Sequence, residues 1–312
     1  MLNILFMGTP DFAVPTLQML IDEGHTISAV VTQPDRPKGR GNKVLMPPVK
    51  ELALKHGLEV LQPERIKGNE EFLMHIKALN PDVMVVVAYG KILPESVLEV
   101  PKLGCINIHG SLLPKYRGAA PIQWSVLNDE AVTGVTIMYM DKGMDTGDML
   151  YKKEMVLAED ETYASLHDKM KDVGAAALKE AWPLIVSGGK ERIKQNEEEA
   201  TYAPPIQKAL GELQWEKPNH EIDALVRGLN PWPAAYTYYD GQMMKVWKVS
   251  NGIGQTEYAP GTIIDVDKTG IHVQTGNGIL IIEEIQAPNK KRMPVSEYIK
   301  GNTIEPGKLL GN

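Results

Sequence analysis

Three polar residues near the middle of the chain have side chains suited to carbonyl chemistry. Asn107 and His109 lie in the segment Asn-Ile-His-Gly-Ser-Leu-Leu-Pro, and Asp145 lies in the later segment Met-Asp-Lys-Gly-Met-Asp-Thr-Gly-Asp. Because residues two apart on a β-strand face the same side, an extended conformation puts the amide and the imidazole together. We expect Asp145, on a glycine-rich loop, to complete a site that holds and polarises a carbonyl group.

An amide, an imidazole and a carboxylate together favour transfer of an acyl or formyl group to an amine. Attack on the carbonyl creates an oxyanion, and each preorganised donor to that oxygen contributes roughly 3 kcal/mol. Asn107 offers an amide N–H, a charged His109 offers another, and Asp145 could pair with that charge and relay protons. Direct attack by the amine needs no enzyme nucleophile, and Ser111 lacks a Gly-x-Ser-x-Gly elbow.

A purely structural interpretation of these residues stays open at this point. A histidine that follows a strand often makes only a structural hydrogen bond, and Asn and Asp are common in turns. The sequence has no His-x-x-x-His or Cys-x-x-Cys pair, no Gly-x-Gly-x-x-Gly after its first strand and no Walker A motif. We therefore predict no metal, dinucleotide or nucleoside-triphosphate site.

Alternating strand and helix patterns predict an open, doubly wound, mostly parallel sheet that positions these residues. Apolar runs predict strands at 2–7, 26–32, 83–88, 105–109 and 134–140. Helices are predicted after Thr9 and Pro10, at 49–56, at 70–79 with Asn69 as the cap, and at 162–187. Ligands of such sheets bind beyond the carboxyl ends of the strands, where we expect Tyr89–Gly90, His109–Gly110 and Asp141–Gly147.

Two stretches without clear periodicity interrupt this pattern. Residues 33–48 are rich in proline, glycine and basic side chains, so we expect a long functional loop there. Residues 189–208 are polar and contain three successive glutamates, which is typical of a linker. A short helix at 220–229 and alternating strands follow, which predict a small antiparallel barrel. The predicted bounds are a catalytic domain at 1–188, a linker at 189–208 and a barrel at 209–312.

Composition limits the partners and the cellular compartment that we expect for this protein. The net charge is −7, so any attraction for nucleic acid must come from a local patch. The single cysteine, Cys105, excludes an internal disulfide, and the longest apolar run is too short to span a bilayer. We predict a cytoplasmic protein without a membrane partner, and a monomer.

Four segments of the chain, together with Asn107, His109 and Asp145, resemble the folate-dependent formyltransferases. The segments are Gly8–Phe12, Thr32–Gly41, Tyr116–Gln123 (with Asp145–Asp148 farther along the chain) and Asn230–Pro233. The resemblance implies a Rossmann-like catalytic domain and an OB-like C-terminal barrel. It also implies that Asn107, His109 and Asp145 carry the catalysis, with 10-formyltetrahydrofolate as co-substrate and no metal.

The resemblance further implies where the folate and the acceptor bind. Residues expected to contact the folate are Ser111, Leu112, Leu113, Pro114, Tyr89, Gly90, Ile92 and Leu93. The match is closest to members that formylate methionyl initiator tRNA, and Arg40 matches the key arginine of their acceptor-binding loop. Residues expected to contact tRNA are Arg36, Lys38, Arg40 and Lys43, and basic residues of the barrel could guide it.

Other functions remain open on sequence alone. The acceptor could instead be a small amine, such as a nucleotide sugar or glycinamide ribonucleotide, although such an enzyme would need neither the basic loop nor the barrel. Water could replace the amine in a hydrolase that releases formate. The chain could also be a tRNA-binding module in which the residues that look catalytic are structural, and the basic segments could be ordinary solvated surface.

Overall fold

The computed structural model describes residues 1–38 and 43–311. These residues form two compact units. One, here called the sheet unit, contains residues 1–121, 132–156 and 167–203. The other, here called the barrel unit, contains residues 122–131, 157–166 and 204–312. No helix among the described residues combines the length and apolar character needed to cross a membrane.

Strands β1 to β11 belong to the sheet unit. They are β1 (Asn3–Gly8), β2 (Thr26–Val31), β3 (Arg36–Lys38), β4 (Lys43–Leu45), β5 (Val60–Leu61), β6 (Val83–Val87), β7 (Cys105–His109), β8 (Arg117–Gly118), β9 (Val132–Tyr139), β10 (Met149–Val156) and β11 (Tyr202–Ala203). The first six helices of the chain are α1 (Val14–Asp22), α2 (Pro48–Lys55), α3 (Glu70–Ala78), α4 (Glu95–Leu98), α5 (Pro121–Leu127) and α6 (Tyr163–Val186).

A seven-stranded sheet in the order β10-β9-β7-β6-β1-β2-β5 forms the centre of the sheet unit. The five strands from β7 to β5 run parallel. Strand β9 runs in the opposite direction and pairs antiparallel with β7 on one side and with β10 on the other. Strand β6 is buried along its whole length, as its run of valines predicts for a parallel strand covered on both faces. The mostly parallel, Rossmann-like sheet inferred from the sequence is therefore confirmed.

Local signals set several element boundaries, and one predicted cap is wrong. The Asn69 side chain accepts a hydrogen bond from the Phe72 amide at 3.0 Å, which confirms the predicted cap of α3. Thr9 does not cap a helix, because a short 3₁₀ turn at Asp11–Ala13 precedes α1. Instead, the Thr9 hydroxyl accepts a hydrogen bond from the Gln33 amide at 3.2 Å, which ties together the chain after β1 and after β2.

Residues 33–48 contain more structure than the predicted loop. Strands β3 and β4 pair antiparallel, with Arg36 opposite Leu45 and Lys38 opposite Lys43. Their short, proline-containing sequences have no hydrophobic alternation, so no strand pattern was visible. Arg40 lies outside the described residues.

The barrel unit contains the remaining elements. They are α7 (Asn219–Gly228), β12 (Ala235–Tyr239), β13 (Gln242–Gly252), β14 (Ile263–Val266), β15 (Ile271–Gln274), β16 (Ile279–Gln286), β17 (Met293–Pro294) and α8 (Val295–Tyr298). The strands form an antiparallel sheet in the order β12-β13-β16-β15-β14, with β17 beside β16. The chain end bridges the two outer strands, since Ile263 donates to the Lys308 carbonyl at 2.8 Å and Gly311 donates to the Tyr238 carbonyl at 2.9 Å. The predicted antiparallel C-terminal barrel is confirmed.

Candidate active site

Strand β7 presents Asn107 and His109 on one face of the sheet. Ile108 points to the opposite face, where it packs closely on α6 at Gly174. Across the strand pair, Asn107 lies opposite Met138 and His109 lies opposite Thr136 on β9. The amide and the imidazole therefore share a face, as their spacing predicts.

His109 is almost fully buried and has a defined orientation. Its Nε2 lies 2.9 Å from the carbonyl oxygen of Tyr116. Because a carbonyl can only accept, Nε2 must carry a proton, and Nδ1 is the nitrogen turned toward Asp145. Nδ1 is 3.7 Å from Asp145 Oδ2, a distance suited to charge pairing but too long for a hydrogen bond.

Asp145 sits in a tight turn that brings its carboxylate to His109. Its φ is +55°, in the left-handed region, which Asp tolerates better than most residues. Its Oδ2 accepts a hydrogen bond from the Gly118 amide at 2.8 Å. Only glycine fits at position 147, since an added Cβ would lie 1.8 Å from the Tyr139 carbonyl oxygen. The shape of this turn thus requires glycine at position 147 and favours a residue such as Asp at position 145.

The turn from β9 to β10 does not lie at a carboxyl edge of the parallel strands, and that expectation is wrong. Strand β9 runs antiparallel to β7, with Tyr139 at its end opposite Ile106 near the start of β7. The turn therefore folds back along the face of the sheet to bring Asp145 to His109. The residues still meet, because Asn107 and His109 point to that face.

The Asn107 amide is open to a ligand. Its side chain is half-buried and makes no hydrogen bond within the described parts of the chain. A half-buried amide with unused N–H groups, next to an imidazole and a carboxylate, is an arrangement that can bind and polarise a carbonyl oxygen.

The segment after β7 is fixed by hydrogen bonds to β9. Thr136 donates to the Ser111 carbonyl at 2.7 Å and accepts from the Leu113 amide at 3.0 Å. Ser111, Leu113 and Pro114 are buried, whereas Leu112 is half-buried. Of these predicted folate contacts, only Leu112 is accessible to a ligand in this structure, and the other three form the buried base of the segment.

The predicted folate contacts in the loop after β6 also include both buried and exposed residues. Tyr89 and Leu93 are only 2% and 3% exposed and belong to the core that includes β1 and β6. Gly90 is exposed with a φ of +83°, and Ile92 is 84% exposed. Ile92 and the backbone of Gly90 are therefore the parts of this loop that a ligand can reach.

The predicted tRNA contacts are described only in part. Arg36 is exposed in β3. The backbone of Lys38 and Lys43 is paired in the β3–β4 hairpin, and Arg40 lies outside the described residues. Their roles in binding stay predictions.

Three further residues bring potential metal ligands together. Asp11, His167 and Asp168 have ligand atoms within 4.8 Å of one another. Lys171 lies 2.8 Å from Asp168 and 3.9 Å from Asp11, so an ammonium group already balances this charge. The cluster is well explained as a surface ion-pair network.

The sequence interpretation missed the residues that hold the site in place. Thr136 bonds to the segment that follows His109, and Gln195 bonds to the backbone of Asp145. Thr201 bonds to Tyr116, whose carbonyl contacts His109, and Arg117 bonds to Gln195. Polar residues on irregular segments have no periodicity, so no signal in a single sequence distinguishes them from solvated ones.

Comparisons with known proteins agree with this geometry. A family model described as "Formyl transferase" matches residues 2–182, and one described as "Formyl transferase, C-terminal domain" matches residues 205–303. Among solved structures, an N-formyltransferase of Helicobacter canadensis in complex with folinic acid and dTDP-3-aminofucose is similar, with a TM-score of 0.69, 19% identity, and coverage of 92% of this chain and 100% of that one. HypX of Aquifex aeolicus in complex with tetrahydrofolic acid is similar with a TM-score of 0.59 and 16% identity, and the chain spans about half of its length, with coverage of 96% of this chain and 47% of that one. At such identities these structures show the fold alone.

Sequence similarity to a curated relative is much higher. The chain is 58% identical over 310 residues to a methionyl-tRNA formyltransferase of Clostridioides difficile strain 630, covering 99% of this chain and 100% of the relative. The chain therefore belongs to the formyl transferase family and, within it, to the methionyl-tRNA formyltransferases.

Proposed function

We propose that this enzyme transfers the formyl group of 10-formyltetrahydrofolate to the α-amino group of methionine carried by initiator tRNA. The observation that most supports this is the approach of Asp145 to His109, at 3.7 Å, beside Asn107 on one face of the sheet. The folate is a co-substrate, and it supplies the activated formyl group on its N10 nitrogen.

The hydrogen bonds of His109 suit it to stabilise an oxyanion. Its Nε2 is committed to the Tyr116 carbonyl, so the Nδ1 side faces the substrate and Asp145. When the ring is charged, Nδ1–H donates to the developing oxyanion and the Asp145 carboxylate balances the charge. The Asn107 amide is the second donor, and each is expected to contribute roughly 3 kcal/mol to the transition state.

Asp145 is positioned to accept the proton of the attacking amine. Its Oδ2 is engaged by the Gly118 amide, whereas Oδ1 accepts no hydrogen bond from the described residues. The amine nitrogen bonds to the formyl carbon, the bond from that carbon to N10 breaks, and the amine proton passes to N10. Asp145 and His109 relay that proton, so charge and atoms balance without an enzyme nucleophile.

The folate is proposed to bind against the segment 111–114 and the loop after β6. Leu112 and Ile92 offer accessible apolar side chains, and the exposed backbone of Gly90 offers hydrogen-bonding groups. An apolar lining with a few fixed polar groups is the usual character of a small-molecule site.

The acceptor tRNA is proposed to contact the basic segment between β2 and α2. Arg36, Lys38, Arg40 and Lys43 are opposed only by Asp35, which is already paired with Lys50 at 2.7 Å. In an otherwise acidic chain, this local concentration of positive charge can neutralise acceptor-stem phosphates. The monomeric state and the cytoplasmic location also stay predictions.

A transfer assay tests the function directly. The enzyme is incubated with 10-formyltetrahydrofolate and methionine-charged initiator tRNA, with charged elongator tRNA and a small amine in parallel. We expect formylmethionyl-tRNA from the initiator species and far less from the elongator. Transfer only to the small amine, or release of formate alone, would reject the proposal.

Variants of the three central residues test their roles. We expect His109→Ala, Asp145→Ala and Asn107→Asp each to lower the single-turnover rate by roughly 10²-fold or more, because each removes a group that acts in the transition state. Folate and tRNA affinities should change little. His75→Ala, an exposed histidine on α3 paired with Glu59, is the matched control and should keep the full rate. Substantial turnover in any of the three variants would contradict the assigned role.

A separate variant tests the tRNA segment. Arg40→Ala should raise the tRNA concentration needed for half-maximal rate and leave folate binding unchanged. Lys67→Ala, an exposed cation outside this segment, is the control. An unchanged rate at limiting tRNA in Arg40→Ala would count against the assignment.

A further inference from the structure

We propose that residues 193–203, here called the strap, hold the catalytic groups in place, with Gln195 as a positioning residue for Asp145. The inference deepens the proposed function, because it rests on the roles given there to Asp145 and His109. The strap lies between the two family-model matches, which end at residue 182 and begin at residue 205. Its polar sequence predicts only a linker.

One end of the strap is bonded to the catalytic turn. Ile193 and Met149 exchange two backbone hydrogen bonds, both of 2.8 Å. The Gln195 side-chain amide then donates to the carbonyl oxygens of Asp145 at 2.7 Å and Gly147 at 2.8 Å. A single side chain thus links the backbone on both sides of the turn whose φ at Asp145 is +55°.

The other end of the strap is bonded to the segment that orients His109. The Thr201 hydroxyl accepts from the Tyr116 amide at 2.8 Å, and the Thr201 carbonyl accepts from the Arg117 amide at 2.8 Å. Strand β11 of the strap then pairs with β8, with Tyr202 opposite Arg117. Tyr116 is the residue whose carbonyl fixes His109 Nε2, so the strap supports the partners of His109 on both sides.

A buried arginine joins the two ends. Arg117 is fully buried, and its Nε donates to the Gln195 side-chain oxygen at 2.9 Å. Its two terminal nitrogens donate to the Glu197 carboxylate at 2.9 and 2.8 Å. Both polar atoms of the Gln195 amide are therefore used. Its oxygen accepts from Arg117 and its nitrogen donates to the turn, which fixes the orientation of the amide group.

These contacts exceed what a connection between domains requires. A left-handed residue at an active site keeps its conformation only when surrounding bonds over-determine it. Without the Gln195 donors, the Asp145 turn can relax and move its carboxylate away from His109. A misplacement of about 1 Å at a reacting group can cost about 10²-fold in rate.

Replacement of Gln195 by Ala and by Glu separates the possible roles. Gln195→Ala removes both bonds to the turn. Gln195→Glu keeps an acceptor for Arg117 but, when ionised, cannot donate to the two carbonyl oxygens. If Gln195 acts by positioning the turn, both variants should lower kcat by about 10²-fold while the KM values for folate and tRNA change little.

Gln274→Ala is the matched control for these variants. Gln274 is fully buried in the barrel unit, where its amide nitrogen donates to two backbone carbonyls and its oxygen accepts from Thr256. We expect a comparable loss of thermal stability in Gln274→Ala without a loss of kcat. Full kcat in Gln195→Glu, or an equal fall of kcat in Gln274→Ala, would overturn the proposal.

A second pair of variants keeps the test valid if Gln195→Ala does not fold. Thr201→Val preserves shape but removes the acceptor for the Tyr116 amide, and Thr201→Ser restores it. We expect kcat to fall in the first variant and to recover in the second, and equal kcat in both would contradict the role of the strap. If the wild-type enzyme shows no transfer to tRNA, the proposed function fails, whereas transfer that is insensitive to Gln195 and Thr201 overturns the strap alone.

Discussion

Cys105 lies at the start of β7, the strand that carries Asn107 and His109, yet its surroundings make it inert. Burial raises the pKa of its thiol to about 12. At pH about 9 an exposed cysteine is largely thiolate, whereas the buried thiol stays neutral. As the pH rises past about 8.5, only the unfolded chain gains this charge, so the contribution of Cys105 to stability falls.

We therefore predict that iodoacetamide leaves Cys105 unmodified in the native enzyme at pH about 9 and modifies it fully in urea. Intact-mass measurements against time give both rates. A short unstructured peptide that contains one cysteine, treated under the same conditions, is the reference for an accessible thiol. Modification of the native protein at a rate close to that reference would show that β7 opens readily.

Tyr89 is buried in the same core with a polar atom that lacks a partner. Its hydroxyl makes no hydrogen bond within the described residues, and burial raises its pKa to about 12. An unsatisfied buried hydroxyl costs about 1 kcal/mol or more, so we predict that Tyr89→Phe is neutral or raises the free energy of unfolding by about 1 kcal/mol. Folate affinity should not change, since the Tyr89 hydroxyl is buried and out of reach of a ligand. A marked loss of stability or of folate binding in a urea titration and a binding assay would contradict this.

Sequence spacing predicts some of the site at the level of single residues. Asn107 and His109 are two apart on one strand, so the pleat alone puts them on one face. Gln195 and Thr201 act through contacts with residues far away in the chain, and nothing in their local pattern indicates those partners. Long-range polar contacts on irregular segments depend on the completed fold.

At the level of elements, the β3–β4 hairpin depends on a polar cluster at its base. Asp35, directly before β3, accepts from Gln62 and from Lys50, each at 2.7 Å. These hydrogen bonds hold the pKa of the Asp35 carboxyl below its ordinary value, and the bond from Gln62 has the largest effect. Gln62 also donates to the Gln33 carbonyl at 2.9 Å, so the cluster anchors the chain as it enters the hairpin.

We predict that Asp35→Ala loosens the hairpin and weakens tRNA engagement more than folate binding. Backbone amides of β3 and β4 should exchange hydrogen faster, and the tRNA concentration for half-maximal rate should rise. Because the wild-type carboxyl has a lowered pKa, this anchor is present at neutral pH and is lost only as the pH falls below the ordinary Asp range. Asp265→Ala, an exposed aspartate on β14, is the control. Unchanged exchange in the hairpin would contradict the anchoring role.

Periodicity predicts the type of an element better than its direction. Strands β1, β2, β6 and β7 and helices α1 to α3 follow from apolar patterns and turn residues. The short strand β5 and the one-turn helix α4 do not, because elements of two to four residues carry no periodicity. The antiparallel course of β9 does not, because apolar runs look alike in either direction. Strand β10 begins with two buried residues and then alternates half-buried with exposed ones. Its lysines and glutamate make the sequence polar, so the pattern of an edge strand is not visible in it. The folded-back catalytic turn, which depends on both strands, was therefore beyond prediction.

At the scale of the whole molecule, the barrel unit is discontinuous in sequence. Residues 122–131 and 157–166 belong to it together with 204–312. No single-sequence signal marks these short inserts, because domain assignment from composition assumes continuous segments. The predicted bounds of 1–188 and 209–312 remain a prediction, and a fragment cut at either bound would separate both inserts from the unit they pack with.

Arg227 on α7 joins both inserts to the rest of the barrel unit. It donates to Asp223 on its own helix and to Asp129 in the first insert, each at 2.8 Å, and to the Glu161 carbonyl in the second insert at 3.2 Å. Arg227 and Asp223 are largely buried, and burial raises the pKa of Asp223 despite the nearby guanidinium. Removal of the arginine therefore leaves a buried carboxylate without its counter-charge.

We predict that Arg227→Ala lowers the free energy of unfolding of the barrel unit by roughly 3 kcal/mol. Lys217→Ala, which removes an exposed pair with Glu221 on the same helix, should cost less than about 0.5 kcal/mol. Hydrogen exchange followed by peptide mass should show faster exchange in 122–131 and 157–166 for the first variant only. The defect should shrink as the pH falls, because a protonated Asp223 no longer carries the unpaired charge. Equal exchange in the two variants, or a defect that grows as the pH falls, would show that the inserts are held by apolar packing rather than by this arginine.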